Sequence, residues 1–303
     1  MAFMTIFTAP KPFTNPHIAL IQRNAIRSWL ELGPEVEVLL IGQEDGLAEF
    51  AAETGISHLP DVARNKEGTP LISSIFALAR EHSRAPLLAY VNADIILLPD
   101  FVETARQVAA QTGNFLLVGQ RWDMRIETPL DVSAGWQARM LESAQRENRL
   151  HPRGGSDYFI YPRAAFANMP AFAVGRAGWD NWMIYAARRA GAAVIDSTAG
   201  INIIHQDHDY SHLPQGQPHY RLPETYENVR LAGGKLTIFK LDDTNRRLVD
   251  GRLARHPFSW ERFKREAEIF PLVTLRSKAL GWLAFAVFHP KKAYAELRKR
   301  AAR

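Results

Sequence analysis

What most constrains this chain is a set of short aliphatic runs with almost no polar interruption, each set off from the next by a helical pattern. Val36 to Ile41 is nearly continuous and closes at Gly42, Leu87 to Val91 stops at Asn92-Ala93-Asp94, and Phe115 to Val118 supplies a further run. A strand with one face in water alternates apolar and polar residues, so unbroken runs are what strands covered on both faces need. They predict an α/β fold, a mixed, mostly parallel sheet flanked by helices. Between the runs, His17 to Leu32 places Ile18, Ile21, Ala25, Trp29 and Leu32 on one helical face, and Leu71, Ile72, Ile75, Phe76, Leu78 and Ala79 form a broad stripe reaching Arg84. Thr69 is placed to cap that second helix with Pro70 at its first position, and Asp100 to cap another running to about Thr112. Thr5 to Thr8 opens the series as a strand ending at Pro10-Lys11-Pro12.

After Gly119 the rhythm breaks into polar clusters beside aromatics: Arg121-Trp122-Asp123, Gly154-Gly155-Ser156-Asp157-Tyr158, Gly178-Trp179-Asp180-Asn181-Trp182 and His205-Gln206-Asp207-His208-Asp209. Such clusters usually line a cleft. Ala192 to Ile195 and Ile201 to Ile204 still read as strands, so this half is expected to extend the same sheet. The 303 residues therefore divide into an α/β domain over 1–258, with halves at 1–118 and 119–258, and a helical, basic and apolar appendage over 259–303.

With Cys 0, disulfide scaffolds, thiolate nucleophiles and cysteine-based metal sites are excluded. A reducing cytoplasm fits. Met1 to Thr5 carries no basic region ahead of an apolar stretch, so no secretory signal is expected. The longest apolar run, Ala279 to Phe288, falls short of the ~18 residues a spanning helix needs. A net charge of +5 permits anionic partners. The basic residues gather at the C-terminus without interleaved aromatic modules, which argues against a nucleic-acid partner.

The most informative chemical feature is Asp94 just past the run Leu87 to Val91, because ligands of open α/β sheets collect beyond the carboxyl ends of strands. An aspartate there serves as a metal ligand or as a turn former. Arg64-Asn65-Lys66-Glu67-Gly68-Thr69-Pro70 sets basic and amide groups before a helix, suited to phosphate oxygens or simply to a solvated loop.

Taken together, these segments resemble the nucleotide-diphospho-sugar glycosyltransferases of the GT-A fold, in particular a bacterial group of inverting character. The segments that carry the resemblance are Thr5 to Phe13, Gly42 to Gly46, Arg64 to Gly68 and Asn92-Ala93-Asp94, within a span from Met4 to Tyr210. The resemblance implies a GT-A-like catalytic domain over 1–258, with a nucleotide-binding half and an acceptor half. It implies donor contacts from Thr8, Pro10, Lys11, Arg64, Asn65, Asn92 and Asp94. Asp94 would bind a divalent cation with His205 as a second ligand, and imidazole plus carboxylate suits Mn²⁺ better than Mg²⁺. Asn92 stands where the family carries an aspartate, which keeps the metal ligand and removes one charge. Asp180, at a helix start, would be the general base for the acceptor hydroxyl. Asp157, Trp122 and Trp179 would contact acceptor or sugar, although buried packing is the commoner fate of a lone tryptophan.

The expected function is metal-dependent transfer of a sugar, in glycan biosynthesis, from a nucleoside diphosphate sugar to a glycan or lipid-linked acceptor. Two alternatives stay open: a sugar nucleotidyltransferase, whose Gly-rich N-terminal loop is here the glycine-free Ala9-Pro10-Lys11-Pro12-Phe13, and a non-catalytic carbohydrate- or membrane-binding protein on a transferase scaffold. The apolar stretch Leu275 to Phe288, followed by Lys291, Lys292, Arg298, Lys299, Arg300 and Arg303, reads either as an anchor on an anionic membrane surface or as a docked C-terminal helix. The expected location is cytoplasmic, with the inner membrane face as a peripheral site.

Overall fold

The computed structural model describes residues 1–208 and 222–301. Asp209 and Tyr210, at the end of the histidine-rich stretch, lie outside the described residues, as do Ala302 and Arg303 of the basic tail.

The strands are β1 (Met4–Thr8), β2 (Val36–Ile41), β3 (Ser57–Leu59), β4 (Leu87–Val91), β5 (Ile95–Leu97), β6 (Phe115–Val118), β7 (Trp122–Met124), β8 (Tyr158–Pro162), β9 (Ala193–Asp196), β10 (Ile203–Gln206), β11 (Arg246–Val249) and β12 (Arg252–Ala254). The helices are α1 (Pro16–Leu30), α2 (Leu47–Thr54), α3 (Ile72–His82), α4 (Asp100–Ala109), α5 (Trp136–Glu147), α6 (Trp179–Arg189), α7 (Pro223–Ala232), α8 (Trp260–Val273), α9 (Lys278–Phe288) and α10 (Pro290–Ala301). Nine strands form one sheet in the order β12-β11-β9-β6-β8-β4-β1-β2-β3, and β5-β10-β7 form a second, small one. In the large sheet β3, β2, β1 and β4 run parallel, β8 is antiparallel to both its neighbours, β6, β9 and β11 are again parallel, and β12 closes the edge as a hairpin with β11.

The unbroken aliphatic runs have the cause expected of them. Along β4, Leu87, Ala89 and Val91 join the core on one side of the sheet, with Trp29 and Phe101, while Leu88 and Tyr90 join the core on the other, with Phe76 and Trp179. Both faces are covered, so neither alternate position can be polar. The chain runs from β1 outward to β2 and β3 and then returns to the opposite flank of β1 as β4, pairing Met4 with Val36 on one side and Leu87 on the other. The loops leaving β1 and β4 therefore diverge and open a crevice at their carboxyl ends.

Three local expectations are corrected. The helix expected to be capped by Thr69, with Pro70 at its first position, begins at Ile72, because Pro70 bridges Arg64 and Leu71 bridges Ala173, which holds both residues extended. Asp100 lies in the first turn of α4 and is not its cap; its Oδ2 accepts hydrogen bonds from the backbone N–H and side-chain amide of Asn202. The strand expected at Ile201 to Ile204 runs from Ile203 to Gln206 and belongs to the small sheet, whereas β9 does extend the large one.

Trp29 of α1 is fully buried, and its Nε1–H donates to the Ile95 carbonyl at 2.8 Å, one residue past Asp94. Replacing Trp29 by Phe removes that donor and some packing volume. We expect a loss of about 1–3 kcal/mol, read as a lower urea midpoint at unchanged slope.

The tail starts with a helix that is part of the body. Ile269, Leu272 and Val273 of α8 are buried in the same core as Met183 and Tyr185 of α6. No helix among the described residues is long and apolar enough to cross a membrane.

Candidate functional site

Beyond the carboxyl ends of β1 and β4 lies a cavity of about 680 Å³, bounded by Ala9 to Pro12, Asn92 to Asp94, Gly154 to Asp157 and the start of α6. One side of it is a histidine and carboxylate cluster built by the small sheet. There β10 pairs His205 with Ile95 of β5 on one flank and with Asp123 of β7 on the other. That register puts the His205 ring between two carboxylates, with Nδ1 3.2 Å from Asp123 Oδ1 and Nε2 4.0 Å from Asp94 Oδ2. His208 completes the group, its Nε2–H donating to Asp94 Oδ2 at 3.0 Å.

Asp94, His205 and His208 bring one donor atom each within 4.8 Å of one another, and so do Asp123, His205 and Asp207; either trio could hold a metal ion. The fit has a second sign. Asp94 Oδ1 is buried and has no hydrogen-bond partner among the described residues, an arrangement that is costly unless a ligand satisfies it. Two imidazoles and a carboxylate are compatible with a divalent transition metal, without selecting one. Burial would push the Asp94 carboxyl up, but the His208 hydrogen bond and the charges of His205 and Lys11 outweigh it and hold the group well below the usual carboxylate range. For His205, burial favours the neutral ring, and Asp123 and Asp94 overcome it to raise its pKa. Lys11 lines the same cavity, and burial lowers its pKa against the opposing pull of Asp94.

A second group locks the loop before β8. Arg121 grips both oxygens of Asp157 at 2.8 and 2.7 Å and reaches Asp123 Oδ1 at 2.8 Å through Nε. Asn92 adds a side-chain hydrogen bond to Asp157 Oδ1 at 3.0 Å, and its backbone N–H donates to the Asp157 carbonyl. Asn92 thus ties two cavity loops together, an interaction that an aspartate in its place would replace by repulsion. Replacing Arg121 by Gln strands a nearly buried carboxylate, and we expect a loss of about 3 kcal/mol in chemical denaturation. Arg121→Lys keeps the charge without the fork and is expected to fall between the two.

Opposite chemistry prevails at α6. Gly178 precedes the helix at φ 108°, a conformation that suits glycine, and its N–H donates to Asp180 Oδ1 at 3.1 Å. Asp180 sits in the first turn and has no cationic partner among the described side chains. Burial raises its pKa to about 6, against the backbone hydrogen bonds that lower it. It is a carboxylate poised to exchange a proton near neutrality.

The expected site residues are not all at the cavity. Pro10, Lys11, Asn92, Asp94, Asp157, Trp179, Asp180 and His205 line it. Trp179 also packs edge-on to Tyr90, with centroids 4.9 Å apart, so it is as much floor as contact. Thr8 is fully buried at the end of β1, its Oγ1 without a partner among the described residues, and is not part of the wall. Arg64 and Asn65 shape the rim without lining it. Arg64 pairs with Glu44 at 3.0 Å, while Asn65 accepts from the N–H groups of Glu67 and Thr69 and donates to Glu224 at 2.6 Å. Trp122 is turned away: it packs against the small-sheet core with Met124 and Ile204, and its Nε1–H donates to Asn202. Strand alternation is the reason, because Arg121 and Asp123 face the cavity and the residue between them must face the other way. The same alternation is the signal by which Arg121 and Asp123 were open to being found. His151, which lies 2.8 Å from Asp123 Oδ2, and Arg176, which pairs with Glu224 at 2.7 Å, carry no such signal.

No protein-family model matches this chain, and a search of curated proteins returns no match.

Proposed function

We propose that this chain is a metal-dependent glycosyltransferase that moves a sugar from a nucleoside diphosphate sugar to an acceptor hydroxyl with inversion at the anomeric carbon. The observation that carries this reading is the presence in one cavity, at the strand switch point, of an Asp/His donor set and a separate half-buried carboxylate with a raised pKa. Asp94, His205 and His208 would hold the cation. When bound, a divalent ion there would neutralise the charge that develops on the departing diphosphate. Lys11 places its amine on the same wall, where the Asp94 charge opposes the effect of burial and favours the protonated form.

Asp180 takes the proton of the acceptor hydroxyl as the new oxygen–carbon bond forms and the bond from the anomeric carbon to the diphosphate oxygen breaks. The nucleoside diphosphate leaves with the electron pair of that bond. Asp157 is unsuited to the same task, because Arg121 and Asn92 occupy its oxygens. The acceptor is a glycan or a lipid-linked sugar. A non-catalytic binder would have no use for a half-buried carboxylate with a raised pKa, which favours the enzyme reading over a degenerate scaffold.

The test is a thermal-shift panel of UDP-, GDP-, dTDP- and CMP-sugars with and without Mn²⁺, since a ligand held by the folded state raises its apparent stability. Stabilisation by one of the UDP-, GDP- or dTDP-sugars only with the metal supports the proposal, whereas stabilisation by the CMP-sugar, a nucleoside monophosphate donor, overturns the diphosphate donor. Stabilisation by nucleoside triphosphate together with sugar 1-phosphate, with pyrophosphate released, replaces it with a sugar nucleotidyltransferase. No response to any nucleotide removes it.

A further inference from the structure

Helix α9 carries one charged residue, Lys278, and is otherwise apolar, yet among its residues only Gly281 is buried. Its orientation is fixed by that glycine: a Cβ at Gly281 would come within 2.5 Å of the Leu272 side chain, so α9 touches α8 where no larger residue fits. Leu280, Leu283 and Val287 fall on the opposite side of the helix, and the last two are 62% and 69% exposed. An i, i+3, i+7 stripe of this kind normally faces a core. Here it faces away from one. On α8, Trp260, Phe263 and Phe270 are exposed as well, and Trp260 is in ring contact with exposed Phe258 at 5.6 Å and with Phe263 at 5.7 Å.

Charge identifies the occupant. Residues 274–303 contain eight Lys and Arg and a single carboxylate, Glu296, so this segment carries +7 while the rest of the chain carries −2. Glu296 is already engaged by Lys235 at 2.8 Å. Arg276 and Lys278 flank the stripe at one end and Lys291 and Lys292 at the other, all exposed. A second copy of the chain would bring like charges together. A polyanion without an apolar phase would leave the Leu and Val stripe unused.

We infer that α9 and the start of α10 form a docking surface for the anionic face of a lipid bilayer, with Leu280, Leu283 and Val287 entering the acyl boundary and the flanking lysines and arginines meeting acidic headgroups. The surface is independent of the reaction proposed for the cavity and would work whatever that reaction is.

The experiment is co-sedimentation of the full chain with vesicles of phosphatidylcholine alone and of phosphatidylcholine mixed with phosphatidylglycerol. Binding is expected to the acidic vesicles at low salt and to fall as salt is raised. The pair Leu283→Asp with Val287→Asp should weaken it on the order of 100-fold. The pair Lys291→Glu with Lys292→Glu, which leaves the apolar stripe intact, should weaken it by at least roughly 30-fold. Failure of the full chain to bind acidic vesicles at low salt overturns the inference. So does undiminished binding by either variant, equal binding to a DNA duplex that ignores Leu283→Asp, or a concentration-dependent dimer that the Asp variants dissociate.

Discussion

Asp180→Asn is expected to lower kcat for sugar transfer by about 10²–10⁴-fold while leaving donor affinity nearly unchanged. The substitution keeps the shape of the side chain and removes only its ability to take a proton. The wild-type rate should rise with pH through about 6 and level off above it, because the base must be ionised to act and burial raises its pKa to about 6. In the variant that acidic limb should vanish along with the rate. Stability should move the other way. A carboxyl that prefers the protonated form when folded binds more protons than in the unfolded chain, so its contribution falls as pH rises from the unfolded value toward 6. At neutral pH the amide is therefore expected to raise stability on the order of 1–2 kcal/mol. Lost transfer with raised Tm separates a sacrificed catalytic group from a broken fold. Near-normal transfer would remove Asp180 from the reaction.

Asp94→Ala should abolish turnover and also remove the metal-dependent part of nucleotide affinity. The carboxylate lies against two histidines and leaves one buried oxygen without a partner among the described residues, so its deletion takes away the only carboxylate of the Asp94, His205 and His208 trio. His205→Ala is expected to weaken metal affinity more than metal-free nucleotide binding, since the ring also bridges toward Asp123 and Asp207. Calorimetric titration of Mn²⁺ in the absence of nucleotide, followed by nucleotide with and without the metal, reads both effects. An Asp94→Ala protein that binds nucleotide with an unchanged Mn²⁺ requirement would contradict the assignment.

The parallel half of the fold was legible because its strands are covered on both faces, which leaves a signature in the sequence that needs no partner to interpret. Leu87 to Val91 is that case, and Asp94 followed from it. The second half was harder for a physical reason. β8, Tyr158–Pro162, is an interior strand made largely of aromatics beside a glycine-rich turn, a composition that reads as readily as a cleft loop. β10 lies two residues later than its apolar pattern suggests, because the strand continues through His205 and Gln206 into the site. Both side chains have fixed partners there: Gln206 is buried against Asn24 and the Ile21 carbonyl, and His205 against the carboxylates. Polar residues within a strand obscure its ends when their partners come from distant segments.

The site shows the same division. Asp94 follows from its position past a buried strand and Asp180 from the resemblance, and both line the cavity. Trp122 was assigned to the cavity because a tryptophan in a polar cluster invites a sugar-stacking role, whereas the period of β7 sends Arg121 and Asp123 inward and the ring outward. The charge of Arg64 and the amide of Asn65 suggest phosphate contacts, yet their groups are used within the rim, on Glu44, Glu224 and the loop's own backbone. Local sequence names the chemistry of a side chain, and only its neighbours decide whether that chemistry is free.

The most direct measurement is release of nucleoside diphosphate from the donor that the thermal-shift panel selects, followed with Mn²⁺ and again after chelation, for the wild-type chain and for Asp94→Ala and Asp180→Asn. Metal-dependent release that both substitutions abolish, with donor binding retained in Asp180→Asn, is the expected result. Release that persists after chelation, or that either variant carries out at the wild-type rate, would contradict metal-dependent sugar transfer at this cavity.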